Sequence, residues 1–121
     1  MSKKFLYLRY HESYDKFNAL KLGICACLGN RGYTYRTSEI KRGYFISVIQ
    51  LESETAKNVE LKLKNKFKEM GLHVYIDAGT EFFKKEIKDL IIPYLKEHRI
   101  GYRQLSNDDI NNICRKYYEQ K

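Results

Sequence analysis

Only three cysteines and one proline occur in this 121-residue chain, and no apolar run approaches the roughly 20 residues needed to cross a bilayer as a helix. Cys25 and Cys27 are separated by one residue and Cys114 lies far downstream. No histidine pair at ligand spacing accompanies them, so the pattern argues against a zinc site and for reduced, structural thiols in an intracellular protein. The start, Met1-Ser2-Lys3-Lys4, leads into a short stretch interrupted by Arg9, too short and too polar for a signal peptide. There is no internal repeat, low-complexity tract or Pro/Gly-rich linker. One domain without a membrane partner is the expectation.

What is abundant is positive charge and tyrosine. Lys and Arg number 23 against 15 Asp and Glu, a formal net charge of +8. A basic surface attracts polyanions because neutralised phosphates release their condensed counterions. Eleven tyrosines add rings that can stack on bases or hydroxyls that can donate to phosphates, and with six phenylalanines they also supply much of a modest core. Composition therefore points towards nucleic acid.

Hydrophobic periodicity sets the order of elements. Phe5 to Tyr10 reads as an aromatic-rich strand, and His11 to Asn18 as a turn or loop. Ala19 to Cys25 alternates, with Leu20, Leu22 and Ile24 on one side and Lys21, Gly23 and Cys25 on the other. Two strands joined so closely predict an antiparallel hairpin. Leu28–Tyr35 suits a short helix, although Gly29 and Gly32 weaken it. Tyr44 to Leu51 is a third strand, opened by Gly43. Ser53 is a plausible cap for a helix running to about Met70 and stopping at Gly71, with Ala56, Val59, Leu63, Phe67 and Met70 as its apolar stripe. An extended piece is expected at 73–76 and a helix from Glu81 to about Ile92, with Phe83, Ile87, Leu90 and Ile91 inward and Pro93 ending or kinking it. A short strand around Ile100–Leu105 precedes a last helix capped by Ser106. Asp108 and Asp109 suit its first turn, and Ile110, Ile113, Cys114 and Tyr117 form its stripe. The expected fold is α+β, a small three-stranded antiparallel sheet flanked by helices, with a helical C-terminal extension from about residue 86.

On the helix before Gly71, Glu60 falls about 60° from the centre of the apolar stripe. A carboxylate at that border costs desolvation unless a cation or a metal compensates it. Geometry alone leaves open an ordinary ion pair with Lys57 or Lys64 at helix spacing.

Several short segments, taken in order, resemble the GIY-YIG nuclease family, in particular the divergent branch whose second motif reads K-(I/L)-G. Leu6-Tyr7-Leu8 resembles the first motif and Lys21-Leu22-Gly23 the second. Arg31, Tyr35 and Thr37 match an R…Y.T helix, Gly43 to Leu51 matches the third strand, and Glu60 to Leu63 with Phe67 resembles the E..L…F helix. Gly79-Thr80-Glu81-Phe82-Phe83 resembles the branch's g-E-[WF]-F segment. The likeness covers roughly residues 5–85.

The resemblance implies a metal-dependent endonuclease that hydrolyses phosphodiester bonds of double-stranded or branched DNA, or a DNA-binding module on the same fold with weakened catalysis. It implies that Glu60 holds one Mg²⁺ or Mn²⁺ ion, that Arg31 braces the scissile phosphate, and that Tyr7 positions or deprotonates the attacking water with Tyr35 as a second hydroxyl. Gly23 would let the strand pass close to the tyrosine or the substrate, and Lys64 and Glu81 would lie against substrate or metal. Lys21 stands where many members carry a tyrosine. A lysine there would bind phosphate, or act as a base if burial beside Arg31 lowered its pKa.

Overall fold

A computed structural model describes residues 4–38, 43–52, 56–76 and 79–120, and for Thr37 and Ser38 only the backbone. The expected cap Ser53 and the side chain of Thr37 lie outside the described residues.

The first strand, β1 (Phe5–Tyr10), pairs antiparallel with β2 (Ala19–Cys25), Tyr7 lying opposite Gly23 and Arg9 opposite Lys21. The expected hairpin forms, although its connection contains a short helix, α1 (Glu12–Asp15), where a loop was expected. Its start is fixed by the His11 imidazole, which accepts from the Ser13 N–H. Helix α2 (Leu28–Ser38) follows, and β3 (Tyr44–Leu51) pairs with the other edge of β1. Then come α3 (Ala56–Glu69), β4 (Phe82–Lys84), a 3-10 turn over Lys85–Asp89, α4 (Ile91–Glu97), β5 (Tyr102–Gln104) and α5 (Asn107–Glu119).

The class is α+β as expected, but the sheet has five strands rather than three, in the order β4-β2-β1-β3-β5. The two additional strands are edges. Phe82, Phe83 and Lys84 pair with Lys21, Leu20 and Ala19, so the segment expected to begin a helix at Glu81 instead covers the open side of β2. Phe83 is fully buried in that arrangement. Pro93 then falls in the first turn of α4, where its missing N–H costs nothing, and it neither ends nor kinks a helix. On the other side, Tyr102–Gln104 pairs with Ile49–Leu51, which makes the C-terminal extension part of the sheet.

Strand alternation sorts the core into two layers. On one face Leu6, Leu8, Leu20, Leu22 and Ile24 pack with Ala56, Val59, Leu63 and Phe67 of α3 and with Ile87, Ile91 and Leu95. On the other, Phe5, Tyr7, Cys25 and Val48 pack with Leu28 and Tyr35 of α2 and with Ile110 and Cys114 of α5. α3 closes as expected at Gly71 (φ +75°), with Leu72 N–H donating to Phe67 O and Gly71 N–H to Lys68 O. Met70, expected in the stripe, is half exposed because the chain leaves the helix there. The Ser106 cap on α5 forms as a full capping box with Asp109. Of the stripe expected on α5, Ile110 and Cys114 are buried, whereas Ile113 is 37% exposed. α2 and α5 approach closely at Gly29, where an added Cβ would lie 2.5 Å from Tyr117 Cβ.

Candidate active site

Tyr7, Lys21, Gly23 and Tyr35, four of the expected residues, meet on the α2 face of the sheet. Tyr7 projects from central strand β1, and its ring lies over Gly23 on β2 so closely that a Cβ at Gly23 would come within 2.6 Å of Tyr7 Cζ and Oη. A side chain there would push the ring away, so glycine in the second motif sets where the phenol sits. The Tyr7 hydroxyl meets the Tyr35 hydroxyl at 2.8 Å, a buried contact in which either oxygen can donate. Tyr35 and Arg31 are one helical turn apart on α2 and so share a side of it. The Lys21 ammonium lies 5.1 Å from the centre of the Tyr35 ring and 3.5 Å from a Glu81 carboxylate oxygen.

A fifth member carries no motif. Arg9 shares the face of Tyr7 by the two-residue alternation of β1, and only 4% of it is exposed. Its guanidinium lies 3.9 Å from the Tyr35 ring centre and 5.2 Å from that of Phe45. Phe45 reaches this face through an irregularity in the β1–β3 register. Leu8 pairs with Ser47 but Arg9 with Phe45, which leaves Ile46 as the extra residue of a bulge and turns Phe45 towards Tyr7. Among the signals in the sequence, only the Phe5-Tyr7-Arg9 alternation pointed to Arg9.

Protonation follows from this packing. Burial raises the Tyr7 pKa far above the ordinary phenol range, the neighbouring Tyr35 hydroxyl raises it further, and the charge of Arg31 only partly opposes them. Tyr7 therefore keeps its proton at neutral pH. In that form the phenol can both donate and accept a hydrogen bond. Burial also works against the charge of Lys21, yet the Tyr35 hydroxyl and then the Glu81 carboxylate outweigh it, and the net shift is upward. This direction is opposite to the lowered pKa that a lysine base would need. Lys21 is a fixed cation suited to a phosphate oxygen.

Glu60 stands apart from these residues. Its helix packs on the opposite face of the sheet, with Val59 and Leu63 beside it in the core formed with Leu6 and Leu22. Its carboxylate lies 3.4 Å from the Lys64 ammonium, and both side chains are largely withdrawn from water. Of the two ion pairs left open at helix spacing, the one with Lys64 forms, and Lys64, which the resemblance placed against substrate, is engaged there. Glu81, for its part, pairs with Lys21.

A hard divalent ion requires carboxylate and water oxygens. Both carboxylates expected near such an ion are engaged by ammonium groups, and among the described residues no cluster of three or more His, Cys, Asp and Glu could hold a metal. As the side chains stand, they do not fit an ion at the hydroxyl pair. The arrangement on the α2 face is instead a buried hydroxyl pair bordered by cations. No described helix is long and apolar enough to cross a membrane. In comparisons with known proteins, no family model, no curated protein and no solved structure matches this chain.

Proposed function

We propose that this chain is an endonuclease of the GIY-YIG type that hydrolyses phosphodiester bonds in double-stranded or branched DNA, with residues 1–121 as one such domain. The observation that carries this reading is the Tyr7–Tyr35 hydroxyl pair, held over Gly23 with Lys21 at its border. In this reading the cations Lys21 and Arg31 neutralise the phosphoryl oxygens as charge builds on them. The hydroxyls of Tyr7 and Tyr35 orient the attacking water and the phosphate by donating and accepting hydrogen bonds. The ion implied by the resemblance, Mg²⁺ or Mn²⁺ on Glu60, belongs to the proposal, but no step is derived through it because Glu60 is paired with Lys64 on the other face.

The same pairing favours a second reading, a DNA-binding module on this fold with weakened catalysis. Lys21 and Arg31 would then hold the backbone without cleavage. Nicking of supercoiled plasmid in Mg²⁺ or Mn²⁺ separates the two, with Tyr7→Phe, Arg31→Ala and Glu60→Ala beside the parent. Hydrolysis predicts nicking by the parent that is lost in Tyr7→Phe and Arg31→Ala. Nicking unchanged in both variants refutes the hydroxyl site, and nicking unchanged in Glu60→Ala refutes the metal assignment. A parent that shifts DNA in a steeply salt-dependent way but never nicks it selects the binding module.

A further inference from the structure

A second feature of the α2 face is absorbed by neither reading. Between α2, α5 and the ends of β1 and β3 lies a cavity of about 740 Å³, within the 300–1,000 Å³ range typical of small-molecule sites. Among the described residues, three guanidinium groups line it and no carboxylate does. Arg9 forms the inner end, its plane fixed by stacking on Tyr35. Arg36, from the last turn of α2, reaches the rim at 4.9 Å from the Tyr118 ring centre. Arg115 reaches the rim from α5, steered by Asn112 and by an exposed, loose ion pair with Glu119.

The walls between these cations are aromatic and apolar, formed by Phe45, Tyr118 and Ile110, and two amide side chains, Asn107 and Asn111, face in from α5. Guanidinium forks match phosphate oxygens in two-point contacts. Flat rings accept a base by stacking, and amides offer both a donor and an acceptor to a base edge. A simple inorganic anion would use only the first of these, and an acidic peptide would leave the rings and amides unused.

We propose that the cavity between α2 and α5 is a nucleotide site, with the base against Phe45 and Tyr118 and the phosphate on Arg9, Arg36 and Arg115. The nucleotide comes either from solution or from the unpaired end of a DNA strand. The proposal does not require the hydroxyl pair to be catalytic, because it concerns binding alone.

Calorimetric titration of the full chain tests it, with deoxyadenosine 5′-monophosphate, deoxyadenosine, inorganic phosphate and a 5′-phosphorylated pentanucleotide as probes. Two variants at exposed positions avoid disturbing the core. The double variant Arg36→Ala/Arg115→Ala removes the rim charge, and Asn111→Trp fills the cavity. Circular dichroism checks that both fold. The monophosphate is expected to bind more tightly than either the nucleoside or phosphate, and each variant is expected to weaken it about tenfold or more. Lys57→Ala, on the opposite layer, is expected to leave it unchanged. Competition by the pentanucleotide for the same site assigns a strand end, and its failure to compete assigns a free nucleotide. No binding of the monophosphate up to about 1 mM overturns the proposal. So do equal affinities for monophosphate and phosphate, or undiminished binding in the two variants.

Discussion

Substituting Gly23 by alanine tests the position on which the candidate site is built. In a strand without close neighbours this change stabilises, because the unfolded chain loses freedom worth about 0.4–1 kcal/mol. Here the new Cβ would lie 2.6 Å from two atoms of the Tyr7 phenol, against ordinary contacts of 3.4–4 Å. Tyr7 would have to retreat by about 1 Å, the scale on which close-packed contacts are lost. It is 3% exposed, its ring centre lies 5.3 Å from that of Phe45, and its hydroxyl is bonded to Tyr35. Overpacking of this kind costs about 1–3 kcal/mol. Parting two buried hydroxyls adds about 1–3 kcal/mol. Set against the gain in the unfolded state, the net destabilisation is about 1–5.5 kcal/mol, a fall in Tm of roughly 4–22 °C for a chain of this length.

Urea titration of Gly23→Ala measures the sum, and a double-mutant cycle isolates the cause. Tyr7→Leu removes the atoms that the new methyl would meet. In that background Gly23→Ala is expected to cost less than about 1 kcal/mol, so the two changes depart from additivity by more than the roughly 0.5 kcal/mol scatter of independent sites. A stabilising Gly23→Ala, or an equal cost in both backgrounds, would falsify the claim that this glycine positions the phenol.

Two further predictions concern pH. The raised Lys21 pKa means that its contribution to stability is complete below its unfolded value of about 10.5 and is lost only as pH climbs through the folded value. The stability gap between the parent and Lys21→Met is therefore expected to stay constant from about pH 6 to pH 9 by urea titration, and a gap that closes within that window contradicts the fixed-cation assignment. His73 shifts the other way, its pKa lowered by burial and then by Lys68, which outweigh the opposing backbone groups of Gly79 and Thr80. The folded state resists its protonation, so stability is expected to fall as pH drops from its unfolded value of about 6.5 through the folded one. His73→Gln should flatten that limb of the thermal-melt profile, and an unchanged slope would assign the loss to other groups.

The parts legible from the sequence are those where local pattern and tertiary demand agree. β1, β2 and β3 occupy the expected spans because the alternation of Leu20, Leu22 and Ile24 matches a sheet that is covered on that face by α3. Ser106 and Gly71 mark helix ends through chemistry confined to a few residues. Phe82–Lys84 departs from the expected helix because, although the helical spacing of Phe83, Ile87 and Leu90 is real, the unpaired edge of β2 recruits the segment's first residues as a strand. No periodicity within 81–92 carries that information, since it resides in the backbone groups of residues 19–21.

The site divides along the same line. Tyr7, Gly23 and Tyr35 could be brought together from motif order alone because strand register and one helix fix them. Glu60 could not be placed by its distance from a stripe, since that angle says how near a helix's buried side a residue lies and nothing about which face of the sheet the helix covers. Once α3 is seen packing on Leu6 and Leu22, the nearest compensation for a half-buried carboxylate is a lysine one turn away. Any metal role for Glu60 would therefore have to begin by separating it from Lys64. On the α2 face, by contrast, Lys21 and Arg9 already hold their charge against the Tyr35 ring, beside the hydroxyl pair.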